Sequence, residues 1–255
     1  MLNVSHISKT FFKGTINEKK ALNDLSLTLN DGDFCTGKST LLNSIAGAYL
    51  PDSGTIEING KDVTKMSEYK RAKFIGRVFQ DPLKGTAAGM QVEENLLLAS
   101  RRGESRRLRW AFSAGDHDKY KAMVSRLDLG LEDRLSTRIG LLSGGQRQAL
   151  TLLMATIKRP EVLLLDEPTA ALDPKTAAKV LKITDEIVHE QHLTTLMITH
   201  NMKDALKYGN RLIMMNNGRI IADYSEDEKK NLTIDDLLKK FEETADAVSD
   251  RIVLG

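Results

Sequence analysis

One cysteine, Cys35, stands in 255 residues. That scarcity excludes a disulfide framework and any multi-cysteine zinc site, and it fits a reducing compartment. Long apolar runs are missing too: no stretch reaches the roughly 18 residues needed to span a bilayer. The start, MLNVSHISKT, has no basic segment followed by an apolar run, so no secretory leader is expected. Nor is charge of one sign in excess. Lys and Arg number 37 against 35 Asp and Glu, and a net charge of +2 gives no reason to expect wholesale binding to nucleic acid or anionic lipid. Aromatics are sparse at 5%, and there is neither an internal repeat nor a low-complexity tract. What is plentiful is apolar content, 41%, enough for a substantial core and against global disorder. The length suits one large α/β domain or two small ones. A soluble, cytosolic protein is expected, with any membrane role exercised through a partner.

The patterning changes along the chain. Leu2, Val4 and His6 alternate with polar residues, as do Leu25, Leu27 and Leu29, and then Ile56 and Ile58. Period two predicts half-exposed, antiparallel strands. KFIGRVFQ reads as one more strand, and from about Asp81 to Arg147 the pattern is polar and mostly helical. Val162–Leu165 is a short continuous apolar run, as in a parallel strand buried on both faces. Asp173-Pro174 then predicts a helix start, with aspartate as N-cap and proline at the first helical position. Ala177, Val180, Leu181, Thr184, Ile187 and Val188 share one face of that helix. TTLMI is a second buried strand, and RLIMM and RIIADY flank Asn216-Asn217-Gly218 as a hairpin. From Thr233 the tail reads as an amphipathic helix with an acidic first turn.

Three motifs carry chemistry. Asp166-Glu167 ends the buried run and places two carboxylates at the sheet edge where ligands of parallel sheets bind. An aspartate there can hold Mg²⁺ while the next carboxylate polarises a water; Asp-Glu-Pro is equally ordinary turn chemistry. Ser143-Gly144-Gly145-Gln146 precedes an apolar-periodic stretch, so exposed N–H groups and the helix dipole suit a phosphate, or else the serine is a plain N-cap. Gly37-Lys38-Ser39-Thr40 opens a further helix, where a lysine reaches terminal phosphates and a hydroxyl ligates Mg²⁺. Gln80, after one strand, and His200, after another, complete the constellation, although single residues at strand ends are more often structural.

Together these motifs resemble the ATP-binding subunit of ABC transporters over nearly the whole chain. The resemblance implies an α/β fold: a P-loop NTPase core of ABC type, with an antiparallel β subdomain and an α-helical subdomain. It places one ABC ATPase domain over residues 1–255, the helical subdomain at about 82–147 and a C-terminal helical extension at about 228–255. Phe11 then corresponds to the aromatic that stacks on adenine, and Lys38, Ser39 and Thr40 to the end of the Walker A loop after Gly37. Gln80 corresponds to the Q-loop, Ser143 to Gln146 to the signature, and Ala171-Leu172-Asp173 to the D-loop. Asp166 corresponds to the Walker B Mg²⁺ residue, with Ser39 and Gln80 as further metal positions. Glu167 corresponds to the catalytic base, and His200 to the histidine that senses the γ-phosphate. ATP and Mg²⁺ are the implied cofactors. The implied partners are a second ATPase subunit, in a homodimer or a pseudo-symmetric pair, and membrane-embedded permease subunits, with a solute-binding protein further out. The implied location is the cytoplasmic face of the cell membrane, and the implied cargo an amino acid or similar small solute imported in a prokaryotic system.

One region departs from the family. Gly32 to Ser39 satisfies the formal GxxxxGK[ST] spacing, yet Asp33 and Phe34 stand where backbone N–H groups should face anions. Between Phe34 and Gly37 only Cys35 and Thr36 remain, too few for a usual strand plus a phosphate loop. The spacing match therefore reads as accidental, the central strand and the first half of the loop as absent, and ATP binding as weak or lost. Two other functions compete. Arg101, Arg102, Arg106, Arg107 and Arg109 would suit a nucleic-acid-handling ATPase, against a solvated face as the plainer reading. Too few residues separate Gln80 from Leu142 for the coiled-coil insertion of DNA-repair relatives, and translation-factor relatives join two such domains where this chain has one. No nucleic-acid partner is expected. The damaged Walker A region also allows a non-hydrolysing structural subunit, which intact Glu167, His200 and LSGGQ argue against.

Overall fold

The computed structural model describes residues 1–37, 39–104 and 115–253, without the side chains of 36, 37, 39 and 244–253. The chain forms two compact units, residues 1–66 with 194–255, and residues 67–193.

The first unit opens on antiparallel strands. β1 (Leu2–Phe11) lies between β2 (Lys19–Leu29) and β4 (Ser53–Ile58), and β5 (Lys61–Asp62) extends the sheet. Leu2, Val4, Leu25, Leu27, Leu29, Ile56 and Ile58 are all buried, as the alternation predicts. His6 is the exception. The register of β1 slips between Val4 and Ile7, His6 takes a φ of 51° and is exposed, and Ile7 enters the core in its place. A bulge puts extra residues on one strand and so shifts the inward phase, which a strict period of two cannot anticipate.

Where the spacing predicts no strand, the structure has one. β3 (Phe34–Gly37) pairs in parallel with β8 (Thr195–Ile198) on one side and β9 (Arg211–Asn216) on the other. Four residues suffice because both neighbours supply backbone partners, and Phe34 and Cys35 are buried. Around the strand entry Thr195 N donates to the Asp33 carbonyl (2.7 Å), Phe34 N donates to Asn210 Oδ1 (2.9 Å), and Asn210 N donates back to the Phe34 carbonyl (3.1 Å). Burial pushes the Cys35 thiol up to about 12, against the pull of Arg211, so it stays neutral. α1 (Ser39–Ala46) follows, and by number only Lys38 separates it from β3.

α7 (Met202–Lys207) follows β8, and β9 turns into β10 (Arg219–Tyr224) through Asn217 and Gly218, both at positive φ. That is the two-residue hairpin expected of Asn-Gly. Arg211 clamps the hairpin with two bonds to Asp223 (2.6 and 2.7 Å) and reaches the Thr28 carbonyl of β2 (2.7 Å). α8 (Glu226–Lys229) and α9 (Ile234–Val253) close the unit, with Leu237 buried against Ala205, Leu212 and Met214.

The second unit is built on two parallel strands, β6 (Ile75–Val78) and β7 (Val162–Asp166). α2 (Glu68–Arg71) precedes β6, α3 (Val92–Ser100), α4 (Asp116–Ser125) and α5 (Gly144–Thr156) come between β6 and β7 in the chain, and α6 (Pro174–Glu190) follows β7. Among the described residues the polar stretch between is only partly helical, with 3₁₀ turns at Pro82–Gly85 and Ile139–Leu141. Val162 to Leu165 are fully buried, as the continuous apolar run predicts. Asp173 caps α6 by accepting from Thr176 N (3.1 Å), and Val180, Leu181, Thr184, Ile187 and Val188 are buried along it, with Ile183 added and Ala177 only half-buried. Among the described residues no helix is long and apolar enough to cross a membrane.

Gly209 fixes the entry to β3. Its φ is 76°, and a Cβ there would lie 2.2 Å from the Phe34 carbonyl oxygen. Gly209→Ala is expected to lower stability by about 2 kcal/mol or more, because backbone and not a side chain must move. Urea denaturation followed by far-UV circular dichroism checks this.

Candidate functional site

In the second unit the site grows from strand register. Val78 of β6 stands beside Leu165 of β7, so the residues that follow each strand emerge at the same edge. There the Gln80 amide Nε2 donates to Glu167 Oε2 (3.3 Å). Glu167 takes a φ of 46°, a left-handed conformation that costs a residue with a Cβ about 1–2 kcal/mol. Asp166, the last residue of β7, has a half-buried carboxyl. Burial pushes its pKa up, and the Arg77 guanidinium, 3.8 Å away, pulls it back.

Arg77 has no part in the motifs read from the sequence. Its guanidinium also pairs with Glu68 (3.0 Å) and lies over the Phe79 ring, 4.4 Å from the centroid. The available signal was a charged residue inside the apolar strand IGRVF.

Ser143 and Gln146 form a capping box at the start of α5. Gln146 N donates to Ser143 Oγ (3.2 Å) and Ser143 N donates to Gln146 Oε1 (3.1 Å). Gln146 Nε2 donates to the Leu129 carbonyl (3.0 Å), and Arg134 donates to Gln146 Oε1 (3.3 Å), so this side chain holds its own helix start. The two glycines differ. Gly144 is exposed beside Ser143, whereas Gly145 is buried, and a Cβ on it would lie 2.1 Å from Thr176 Cγ2 on α6. Asp173 is exposed at the head of α6, and its bonds to Thr176 hold its carboxyl below the usual range.

In the first unit Phe11 ends β1, with Tyr49 edge-on to it at 5.1 Å and 81°. Lys9 lies 5.8 Å from the Phe11 centroid and pairs with Asp52 (2.9 Å), which also accepts from Thr10 N (2.7 Å). Tyr49, after α1, carried no motif. Gly37 is the last residue of β3, Ser39 and Thr40 are the first of α1, and Lys38 lies outside the described residues. His200 is exposed two residues past β8, beside a cavity of about 150 Å³ that Met202, Met214, Leu237 and Phe241 also line.

Mg²⁺ favours hard oxygen donors and keeps several waters, relying on one or two carboxylates plus substrate phosphates. Asp166, with the Gln80 amide and Glu167 beside it, offers such donors. No cluster of three or more His, Cys, Asp or Glu side chains suited to a metal occurs among the described residues. The donor set fits a cation completed by phosphate and water.

The family described as "ABC transporter" matches residues 22–170. The tyrosine transport ATP-binding protein of Clostridioides difficile is 43% identical over 95% of this chain and 99% of its own length. The chain belongs to the ABC transporter family. The thiamine import ATP-binding protein ThiQ of a Chelativorans species is 39% identical to this ABC subunit over 75% of the chain and 73% of its own length. Among solved structures, the dimeric post-hydrolysis state of the ATP-binding cassette MJ0796 bound to ADP and Pi superposes with a TM-score of 0.74 at 25% identity, covering 89% of this chain and 99% of the other. The ADP conformation of the cassette MJ1267 gives 0.76 at 28% identity, covering 94% and 98%. The α/β ABC cassette fold follows, and with it an ATP-binding, transport-coupled ATPase subunit whose partner is a membrane permease. The nucleic-acid reading finds no support among these relatives. Of its arginines, Arg102 donates to the carbonyls of Ala155 and Lys158, and Arg106, Arg107 and Arg109 lie outside the described residues.

Gly145 therefore serves packing in this cassette. Gly145→Ala is expected to destabilise the chain by about 1–3 kcal/mol through overpacking, and Thr176→Ala in the same chain to recover most of that loss. A double-mutant cycle by thermal denaturation measures the coupling.

Proposed function

We propose that this chain is the ATP-hydrolysing subunit of an importer for an amino acid or similar small solute. The observation that carries the site is the pairing of Gln80 with Glu167 beside Asp166, at the edge of two buried parallel strands. The solute class is supported by the tyrosine transport relative, which matches over nearly its whole length.

In this reading Glu167 is the general base. Gln80 orients its carboxylate, and the left-handed backbone turns it away from the line of β7, so that it can accept a proton from a water attacking the γ-phosphate. Asp166, with Ser39 and Gln80, would hold Mg²⁺, which when bound offsets charge on the phosphates. Phe11 stacks on the adenine, and Lys38, Ser39 and Thr40 approach the phosphates after Gly37. His200 contacts the γ-phosphate side. A second ATPase subunit presents its Ser143 and Gly144 across the nucleotide, with the buried Gly145 packing behind them and Gln146 and Asp173 securing the helix starts that border it. The pair works on permease subunits at the cytoplasmic face of the membrane, and the solute-binding protein acts through them.

The proposed phosphate site carries a deficit. A phosphate loop needs several successive backbone N–H groups between strand and helix, and here one residue stands between β3 and α1. ATP binding by this chain is expected to be weak, in the millimolar range in calorimetry; micromolar affinity would overturn the expectation. Inserting a glycine-rich segment before Gly37 is expected to restore binding. In the lengthened chain, paired with its permease, Glu167→Gln should lower ATP turnover about 100-fold or more. Unchanged turnover there would remove Glu167 from its assigned role.

A further inference from the structure

We propose that Arg77 is a positioning residue for Asp166, a counter-charge shared with Glu68 that keeps Asp166 from holding a divalent cation until phosphates arrive. The inference rests on Asp166 as the cation residue and concerns a side chain that no motif includes.

The geometry is a three-way contact. Arg77 sits on β6 between the buried residues Gly76 and Val78, and its side chain is only 13% exposed. One guanidinium nitrogen bonds Glu68 of α2 at 3.0 Å, and the other faces Asp166 Oδ2 at 3.8 Å, a charge contact longer than a hydrogen bond. The guanidinium carbon lies 4.4 Å from the Phe79 ring centroid, so three groups contact the cation. Lys84 adds a second positive charge near Asp166, and Glu167 a negative one. Because water is largely excluded around Arg77, its charge is weakly screened.

A cation arriving at Asp166 meets this fixed positive charge and is repelled, so the carboxylate alone holds it poorly. Nucleotide phosphates bring compensating negative charge, which makes cation loading depend on the nucleotide. Glu68 draws the guanidinium toward α2 by its direct hydrogen bond. It thereby moderates the repulsion, and its loss would leave more of the Arg77 charge acting on Asp166.

The test uses the full chain without nucleotide and Mn²⁺ as the probe, with free Mn²⁺ read by electron paramagnetic resonance. Arg77→Met is expected to tighten Mn²⁺ binding about three- to tenfold, and Glu68→Gln to weaken it about twofold. Arg77→Lys keeps the charge and should stay close to the parent chain, while Asp166→Asn should abolish most binding. A merely structural role for Arg77 would not move Mn²⁺ affinity in opposite directions in the two variants. If Asp166→Asn abolishes binding but Arg77→Met leaves it unchanged or weaker, the counter-charge role is wrong and Asp166 keeps its assignment. If Mn²⁺ binding survives Asp166→Asn, the reading of Asp166 is wrong and the inference falls with it. Should Arg77→Met fail to fold in a thermal melt, the Glu68→Gln titration decides: unchanged or tighter binding there overturns the proposal.

Discussion

The hydrogen-bond demand of one short strand governs the first unit. β3 runs between β8 and β9, and its peptide groups are taken up on both sides. A central strand left out would strand the edges of both neighbours, so the chain spends Phe34, Cys35, Thr36 and Gly37 on pairing. Every peptide committed to that ladder is lost to a loop that could wrap an anion. The phosphate site proposed for this segment would draw on the same few residues as that ladder.

In the second unit the competition is between helix starts. The N-terminus of α5 and the head of α6 each need caps, and each supplies its own from Ser143 with Gln146 and from Asp173. Gly145 then lets the two approach without a side chain between them, next to Thr176. Ser143 and Gly144 are exposed beside it, and Gln146 is half-buried. The same economy appears at the sheet edge, where Gln80 and Arg77 each engage one of the two adjacent carboxylates.

Much of this was legible in the residues. Val162 to Leu165 read as a strand buried on both faces because no polar position interrupts the run, and Asp173-Pro174 and Asn217-Gly218 mark a cap and a turn by local backbone preference alone. Asp166, Glu167 and Gln80 were assigned by motif, and the parallel register of β6 and β7 brings them to one edge. What was not legible depends on partners distant in sequence. Phe34–Gly37 has too few residues to look like a strand, and it becomes one because β8 and β9 supply the other half of each bond. The inward shift from His6 to Ile7 follows from pairing irregularities across two neighbours. Arg77 carried no reading of its own within the strand KFIGRVFQ, and only folding places Glu68 and Asp166 around it.

The scarce thiol gains a meaning from its position. Cys35 is fully buried in β3, and its proton is held so firmly that the reactive thiolate is essentially unpopulated at neutral pH in the closed strand. Alkylation therefore has to wait for β3 to part from its neighbours. With no other sulfhydryl in the chain to compete, the rate of that modification is a clock for local opening at the strand that leads into α1.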